Sequence, residues 1–254
     1  MVELKRPDYG IDAPVVVRNL FLVAVIGLST WGAVAFGVRS GWFSGNVLGF
    51  GGMGLGTGTV CLLMGIWMLW ESKIGKMRER DRLLQRIPWT GHEHVLDVGC
   101  GRGLMLIGAA KRLTTGKATG IDVWQEEDML GNRIEATLAN VRCEGVEDRV
   151  DVQTADMRRM PFPDDSFDVI VSRAVIHNLY KADEREQAIR EIARVLKPGG
   201  RAIIDDIRHH GDYTRVFLEN GCAEVRQDRS IVVYWILTLI TFGSLRPAVL
   251  LVRK

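Results

Sequence analysis

Two stretches without a charged side chain constrain the start of this chain more than any other feature. Residues 19–38 and 40–70 contain no Lys, Arg, Asp or Glu, and only Arg39 separates them. A helix rises about 1.5 Å per residue, so roughly 20 apolar residues cross a hydrocarbon layer about 30 Å thick. Both stretches reach that length, which predicts two membrane-spanning helices, over about 15–38 and 45–70, joined as a tight hairpin. Lipid offers no partners to backbone N–H and C=O groups, so only helices suit such segments. Trp31, Trp42, Trp67 and Trp70 include interfacial anchors. Lys5, Arg6 and Arg18 precede the first stretch, and Lys73, Lys76, Arg78, Arg80, Arg82 and Arg86 follow the second. That bias predicts a multi-pass membrane protein with both ends cytoplasmic. A cleaved signal peptide ending near Ala33-Val34-Ala35 is the rival, and the second apolar stretch argues against it.

Glycines in the second stretch invite two readings. Gly49-Phe50-Gly51-Gly52-Met53-Gly54 matches the G-x-G-x-x-G phosphate-binding pattern literally, but no strand precedes it. Gly52/Gly56 and Gly54/Gly58 have the spacing that lets two membrane helices approach closely. Helix packing is the expectation.

From residue 71 onward the chain carries 29 basic and 28 acidic residues, within a total of 33 and 31. Such balance lacks the basic excess of an electrostatic nucleic-acid grip, so no nucleic-acid partner is expected. Cys61, Cys100, Cys143 and Cys222 are scattered without CxxC spacing, which fits neither a disulfide framework nor a zinc site. Residues 1–72 thus read as an anchor and 73–254 as a globular domain. Within the latter, Ile74, Met77, Leu84 and Ile87 suit one helix face, which Pro88 ends. Short apolar runs bounded by glycine then alternate with amphipathic stretches, the mark of βαβ units. Strands are predicted near 94–98, 117–123, 150–154, 167–172, 200–206, 222–227 and 247–252. Helices fit near 103–113, 129–144, 182–196 and 212–220. Seven strands with intervening helices make an α/β, doubly wound, Rossmann-like sheet whose ligands sit beyond the strands' carboxyl ends.

The first strand runs into Asp97-Val98-Gly99-Cys100-Gly101-Arg102-Gly103-Leu104. Its glycines permit a tight turn and close approach of a ligand to backbone, but a dinucleotide fingerprint needs Gly or Ala where Leu104 stands. That weakens a NAD-dependent reductase. Asp97 beside a helix N-terminus suits an ammonium-bearing ligand better than a pyrophosphate. Asp122 ends the second strand, where an acidic side chain accepts hydrogen bonds from ribose hydroxyls. Asp156 follows the third, available to an adenine amino group. Ammonium, diol and exocyclic amine occur together in S-adenosylmethionine (SAM).

VLDVGCGRG (95–103), GID (120–122), ADMRRMPFPDDSFDVIV (155–171) and RVLKPGG (194–200) occur in that order. This series resembles the class I SAM-dependent methyltransferases, in the group acting on small molecules, quinones and lipids. Over about residues 75–228 the resemblance implies SAM as cofactor and a sheet whose final strand is antiparallel. It implies that Asp97, Gly99, Cys100, Gly101 and Gly103 hold the methionine part and that Asp122 binds ribose. Val123 or Trp124 would lie against the base, Asp156 and Met157 would frame adenine, and Ser172 would face the methyl-donor end. Members do not generally begin with two membrane spans, so the acceptor is not carried over.

A base is needed only if the acceptor loses a proton. His177, with Asn178 and Tyr180 nearby, and His209 or His210 are the candidates, since histidine works near neutral pH. A metal site built from Asp205, Asp206 and these histidines lacks ligand spacing and is not expected. Residues 231–242 form an uncharged run too short to span a bilayer, either core or an interfacial patch. The interfacial reading turns the site toward lipid and predicts a small, lipid- or quinone-like acceptor. A nucleic-acid methyltransferase is weakened because Ser172–His177 lacks an Asn/Asp-Pro-Pro-aromatic motif. A membrane-tethered SAM-binding regulator without turnover shares every binding residue.

Overall fold

Both uncharged stretches are helical: α1 spans Pro14–Arg39 and α2 spans Leu48–Trp70. The computed structural model describes residues 6–125, 131–229, 238 and 245–254. By packing, residues 10–78 form one compact unit, and residues 6–9 with 79–254 form the other, so a piece of chain ahead of α1 belongs with the sheet.

In the helical unit, glycines set the seam between α1 and α2. A Cβ on Gly54 would lie 2.8 Å from the Gly27 carbonyl oxygen, and one on Gly58 would lie 2.9 Å from Leu28 N. Gly51 faces Val34 and Trp31, and Gly65 faces Phe21. Gly52 and Gly56 meet nothing within 4 Å, so of the two glycine pairs with packing spacing only Gly54/Gly58 makes the contact. Gly27 on α1 selects the register. Large apolar side chains, among them Val25, Ile26, Phe50, Met53, Val60 and Leu63, point outward. Near the open end, buried Lys76 donates to Gly10 O at 2.9 Å and pairs with Asp12 at 3.0 Å. Both helices are long and apolar enough to cross a membrane.

After a π-helical turn at Glu71–Gly75 come α3 (Lys76–Leu84), β1 (His94–Val98), α4 (Leu104–Ala110), β2 (Lys117–Asp122) and α5 (Ile134–Cys143). Then follow β3 (Val150–Thr154), β4 (Phe167–Arg173), α6 (Ala182–Val195), β5 (Leu196–Asp206), α7 (His210–Glu219), β6 (Glu224–Asp228) and β7 (Ala248–Arg253). The strands form one sheet in the order β3-β2-β1-β4-β5-β7-β6. β7 is antiparallel to both neighbours and the other pairings are parallel. This is the seven-stranded class I fold expected from the motif order. β5 starts at Leu196 rather than at 200, because Leu196 already pairs with Phe167 ahead of an irregularity in register. The stretch 231–242 lies outside the described residues except for Thr238, as does 126–130, where a helix was expected to begin.

Parallel strands covered on both faces read as continuous apolar runs, and Val95–Val98 is buried throughout. α6 and α7 cover one face, with Ile189, Ile192, Val216 and Phe217 among the core residues alongside Leu96, Ile170, Ile204 and Leu250. Next to β2, a Cβ on Gly120 would come within 2.7 Å of Leu106. Strand order reverses between β1 and β4, and the crevice at their carboxyl ends is where such sheets take ligands.

Candidate functional site

At that crevice lies a cavity of about 330 Å³, within the size range of small-molecule sites. On one side it is lined by Gly99, Gly101, Asp122, Asn132, Asp156 and Met157, with Val123, Ala155 and Arg158 adjoining. Arg173, Ala174, Val175, Asn178 and Leu179, from the end of β4 and the loop after it, line the other side.

The loop after β1 is held in shape by its own backbone and three buried side chains. Gly99 and Gly101 adopt φ of 72° and 49°, the left-handed region that glycine enters without strain. Gly99 and Cys100 both donate their N–H to Ile121 O, at 2.9 and 3.0 Å, which folds the loop over the end of β2. Asp122 Oδ2 accepts the Gly101 N–H at 2.8 Å, while Thr137 Oγ1 donates to Gly101 O at 2.6 Å. The Gly101 residue is thus gripped at both polar atoms. The other Asp122 oxygen accepts the Trp124 N–H at 2.7 Å and Asn132 Nδ2 at 3.3 Å. Asp122 sits at the cavity wall and still has lone pairs to offer a diol.

Asp97 is fully buried beneath the loop and accepts the Leu106 N–H at 2.7 Å, within the first turn of α4. Burial, followed by the nearby Asp122 charge, raises its pKa to about 8. Its side chain supports the glycine loop from below and does not line the cavity. Cys100, Gly103, Trp124 and Ser172 are likewise outside the lining. Trp124 Nε1 donates to Thr154 Oγ1 at 2.8 Å, and buried Ser172 donates to Val98 O at 3.0 Å, inside the sheet.

Asp156 lies on the adenine side of the expected arrangement and is clasped by Arg158, with Nη2 to Oδ2 at 2.6 Å and Nε 3.0 Å from each carboxylate oxygen. The Arg158 hydrogen bonds hold Asp156 below the usual carboxylate range. Arg158 is itself fixed by Glu184 at 3.0 Å.

Asp206, buried at the end of β5, gathers several donors. It accepts the His177 N–H at 3.1 Å, the Ile207 N–H at 2.7 Å and the Tyr213 hydroxyl at 3.3 Å. His177 Nδ1 lies 2.5 Å from its Oδ1. Burial and the Asp206 charge push the Tyr213 phenol well above its ordinary pKa, so it stays protonated. His177 is in the loop that lines the cavity, next to Asn178, without itself being a lining residue. His209 is the N-cap just ahead of α7, with Nδ1 3.9 Å from Asp212, and is also outside the lining. His210 is buried with Nε2 between Asp206 O and Ala248 O, at 2.9 and 3.0 Å. Burial lowers the pKa of both. Tyr180 is 94% exposed and takes no part in the wall. Among the described residues, no group of three or more His, Cys, Asp or Glu is placed to hold a metal ion.

Sequence reasoning did not single out Asn132 or Arg173. Arg173 Nε lies 3.2 Å from Asp205 Oδ2, a pairing across adjacent strands that only the sheet order reveals. Asn132 carries no motif of its own and meets Asp122 from ten positions further along the chain.

Residues 96–204 match the family described as "Methyltransferase domain". Methyltransferase GfsG of Streptomyces halstedii is 36% identical over 57% of this chain and 50% of that protein. The ubiquinone/menaquinone biosynthesis C-methyltransferase UbiE of Geotalea daltonii is 33% identical over 48% of each. The solved structure of Haemonchus contortus phosphoethanolamine N-methyltransferase 2, in complex with SAM, has a TM-score of 0.55 at 16% identity, over 69% of this chain and 52% of that one. The chain spans about half the length of the curated relatives it matches.

Proposed function

We propose that this chain, whose residues 94–253 form a class I SAM-dependent methyltransferase domain, methylates a small lipophilic acceptor from a membrane-anchored position. The observation that carries the reading is the cavity at the β1/β4 switch point with Asp122 and Asp156 in one wall.

The chemistry of that wall fits SAM. Gly99 and Gly101 present backbone without Cβ atoms to the methionine part, with Asp97, Cys100 and Gly103 shaping the loop from behind. Asp122 accepts from ribose hydroxyls, Val123 flanks the base, and Asp156 and Met157 frame adenine. Trp124 and Ser172 act from outside the lining, by fixing the ends of β2 and β4. When bound, SAM supplies a methyl group already activated on a sulfonium. What remains for the protein is alignment, which can lower a barrier by up to roughly 7–11 kcal/mol. Arg173, Val175, Asn178 and Leu179 form the wall left for an acceptor. His177, its Nδ1–H directed at Asp206, keeps Nε2 as a proton acceptor for an acceptor hydroxyl or amine. His209 is the less favoured base, since it pairs with Asp212 on α7.

Membrane anchorage rests on α1 and α2, whose large apolar side chains face outward rather than into a core. The basic residues flanking them put both ends, and the catalytic domain, on the cytoplasmic side. An anchor on the same chain as such a site favours an acceptor that partitions into lipid, a quinone or lipid among them. The test is incubation of the full-length protein in vesicles with methyl-labelled SAM and an organic extract of membranes. Label should appear in an extractable small molecule, with S-adenosylhomocysteine released in equal amount. Homocysteine-nucleoside release only with a water-soluble fraction would remove the lipophilic acceptor, and none with any fraction would remove the transferase.

A further inference from the structure

Residues 8 and 9 precede the first apolar helix in sequence, yet every partner named here lies in the sheet domain. Asn140 on α5 accepts the Asp8 N–H through Oδ1 at 2.9 Å and donates from Nδ2 to Asp8 O at 2.9 Å. The same Nδ2 donates to Arg102 O at 2.8 Å, so one buried amide joins the N-terminal segment to the glycine loop. Arg102 Nη1 in turn donates to Asp8 Oδ2 at 2.8 Å. Among the described residues Arg102 Nε has no hydrogen-bond partner, and Asp8 is the carboxylate paired with that guanidinium. Tyr9 is 6% exposed and its hydroxyl donates to Glu144 at 2.9 Å, at the far end of α5. Glu144 also takes Lys111 from the end of α4.

Arg102 sits between Gly101 and Gly103, two of the three glycines in the loop. Glycine lowers the cost of the required turn but leaves many alternatives open. Gly101 is gripped by Asp122 and Thr137, and Arg102 by Asp8 and by Asn140, one turn beyond Thr137 on α5. We propose that Asp8–Tyr9 is a positioning strap for the cofactor loop, holding Gly99–Gly103 in the one shape that admits SAM. Asp8, Asn140 and Arg102 are its positioning residues, and none of them lines the cavity. This rests on the SAM reading above.

A loop that samples its competent shape one-tenth of the time binds about tenfold more weakly, with no contact to the ligand altered. The experiment uses full-length protein in lipid nanodiscs, with S-adenosylhomocysteine titrated calorimetrically against wild type, Asp8→Ala and Asn140→Ala. The dissociation constant should rise about threefold in the first, which loses one strap–loop hydrogen bond, and about tenfold in the second, which loses one to the loop and two to the strap. KM for SAM should rise in parallel, with kcat at saturating SAM within about twofold of wild type, since a strap acts on cofactor entry. Amide exchange across residues 99–103 should quicken in both apo variants.

Unchanged affinity together with unchanged loop exchange overturns the strap. So does a fall in kcat without a rise in KM for SAM. If Asn140→Ala loses its fold, Asp8→Ala, which alters an exposed side chain, decides. If wild type itself binds no S-adenosylhomocysteine, the cofactor reading fails instead, and the exchange rates still report on the strap.

Discussion

Nδ1 of His177 lies 2.5 Å from Oδ1 of Asp206, joining the loop after β4 to the end of β5. A hydrogen on Nδ1 directed at that carboxylate leaves Nε2 as the ring's acceptor. Replacing His177 with Ala should lower kcat by about 10²–10⁴ for an acceptor that loses a proton, the usual range for a lost general base. Asp206→Asn should also lower it, because the amide can donate to Nδ1 and reverse the tautomer. Affinity for S-adenosylhomocysteine, measured by calorimetry, should hold in both.

Asp122 accepts three hydrogen bonds from the chain itself, two of them from backbone N–H groups. Asp122→Ala leaves those donors unpaired, at about 1–3 kcal/mol each, and removes the acceptor offered to ribose. A rise of at least about tenfold in the SAM dissociation constant is expected, one factor of ten being about 1.4 kcal/mol. Equilibrium binding at constant pH checks it.

Asp97 has a pKa of about 8 in the fold, against an ordinary 3.8. The folded state therefore holds a proton that the unfolded chain has released. Stability from this group is complete below about pH 4 and declines as pH rises, by at most about 1.4 kcal/mol per unit, until pH 8. Asp97→Asn keeps an oxygen for the Leu106 N–H and cannot ionise. Its unfolding midpoint, compared with wild type across pH 5 to 8, should lack that part of the decline.

Gly56 and Gly58 stand two residues apart on α2 and face different surroundings. Gly58→Leu forces a side chain into Leu28 and the Ala24 carbonyl, and overpacking of this kind costs about 1–3 kcal/mol. Gly56→Leu meets open space and should leave the hairpin within about 0.5 kcal/mol. Thermal unfolding of both variants in the same detergent separates them.

Much of the sheet is legible in the sequence because parallel strands leave continuous apolar runs between glycines, as in Val95–Gly99. The rim carboxylates are legible for the same reason: Asp97, Asp122 and Asp156 fall at or just after strand ends. What each carboxylate does was not. Asp97 lies under the loop rather than in the cavity, and no local pattern distinguishes the two faces of a strand buried on both. Gly52/Gly56 and Gly54/Gly58 have identical spacing, and only the position of Gly27 on the partner helix tells them apart. The start of β5 at Leu196 was hidden because Pro198-Gly199-Gly200 reads as a turn. Asp8 and Asn140 are 132 positions apart, and neither carries a signal that it belongs with the other.

That separation orders events during synthesis. Asn140 leaves the ribosome after Asp8 and after both apolar helices have been made. At about 5–20 residues per second the earlier segment waits roughly 7–26 seconds for its counterpart, 132 positions on. On the anchored reading proposed above, the hairpin has that interval in which to enter lipid before Asp8 and Asn140 can meet.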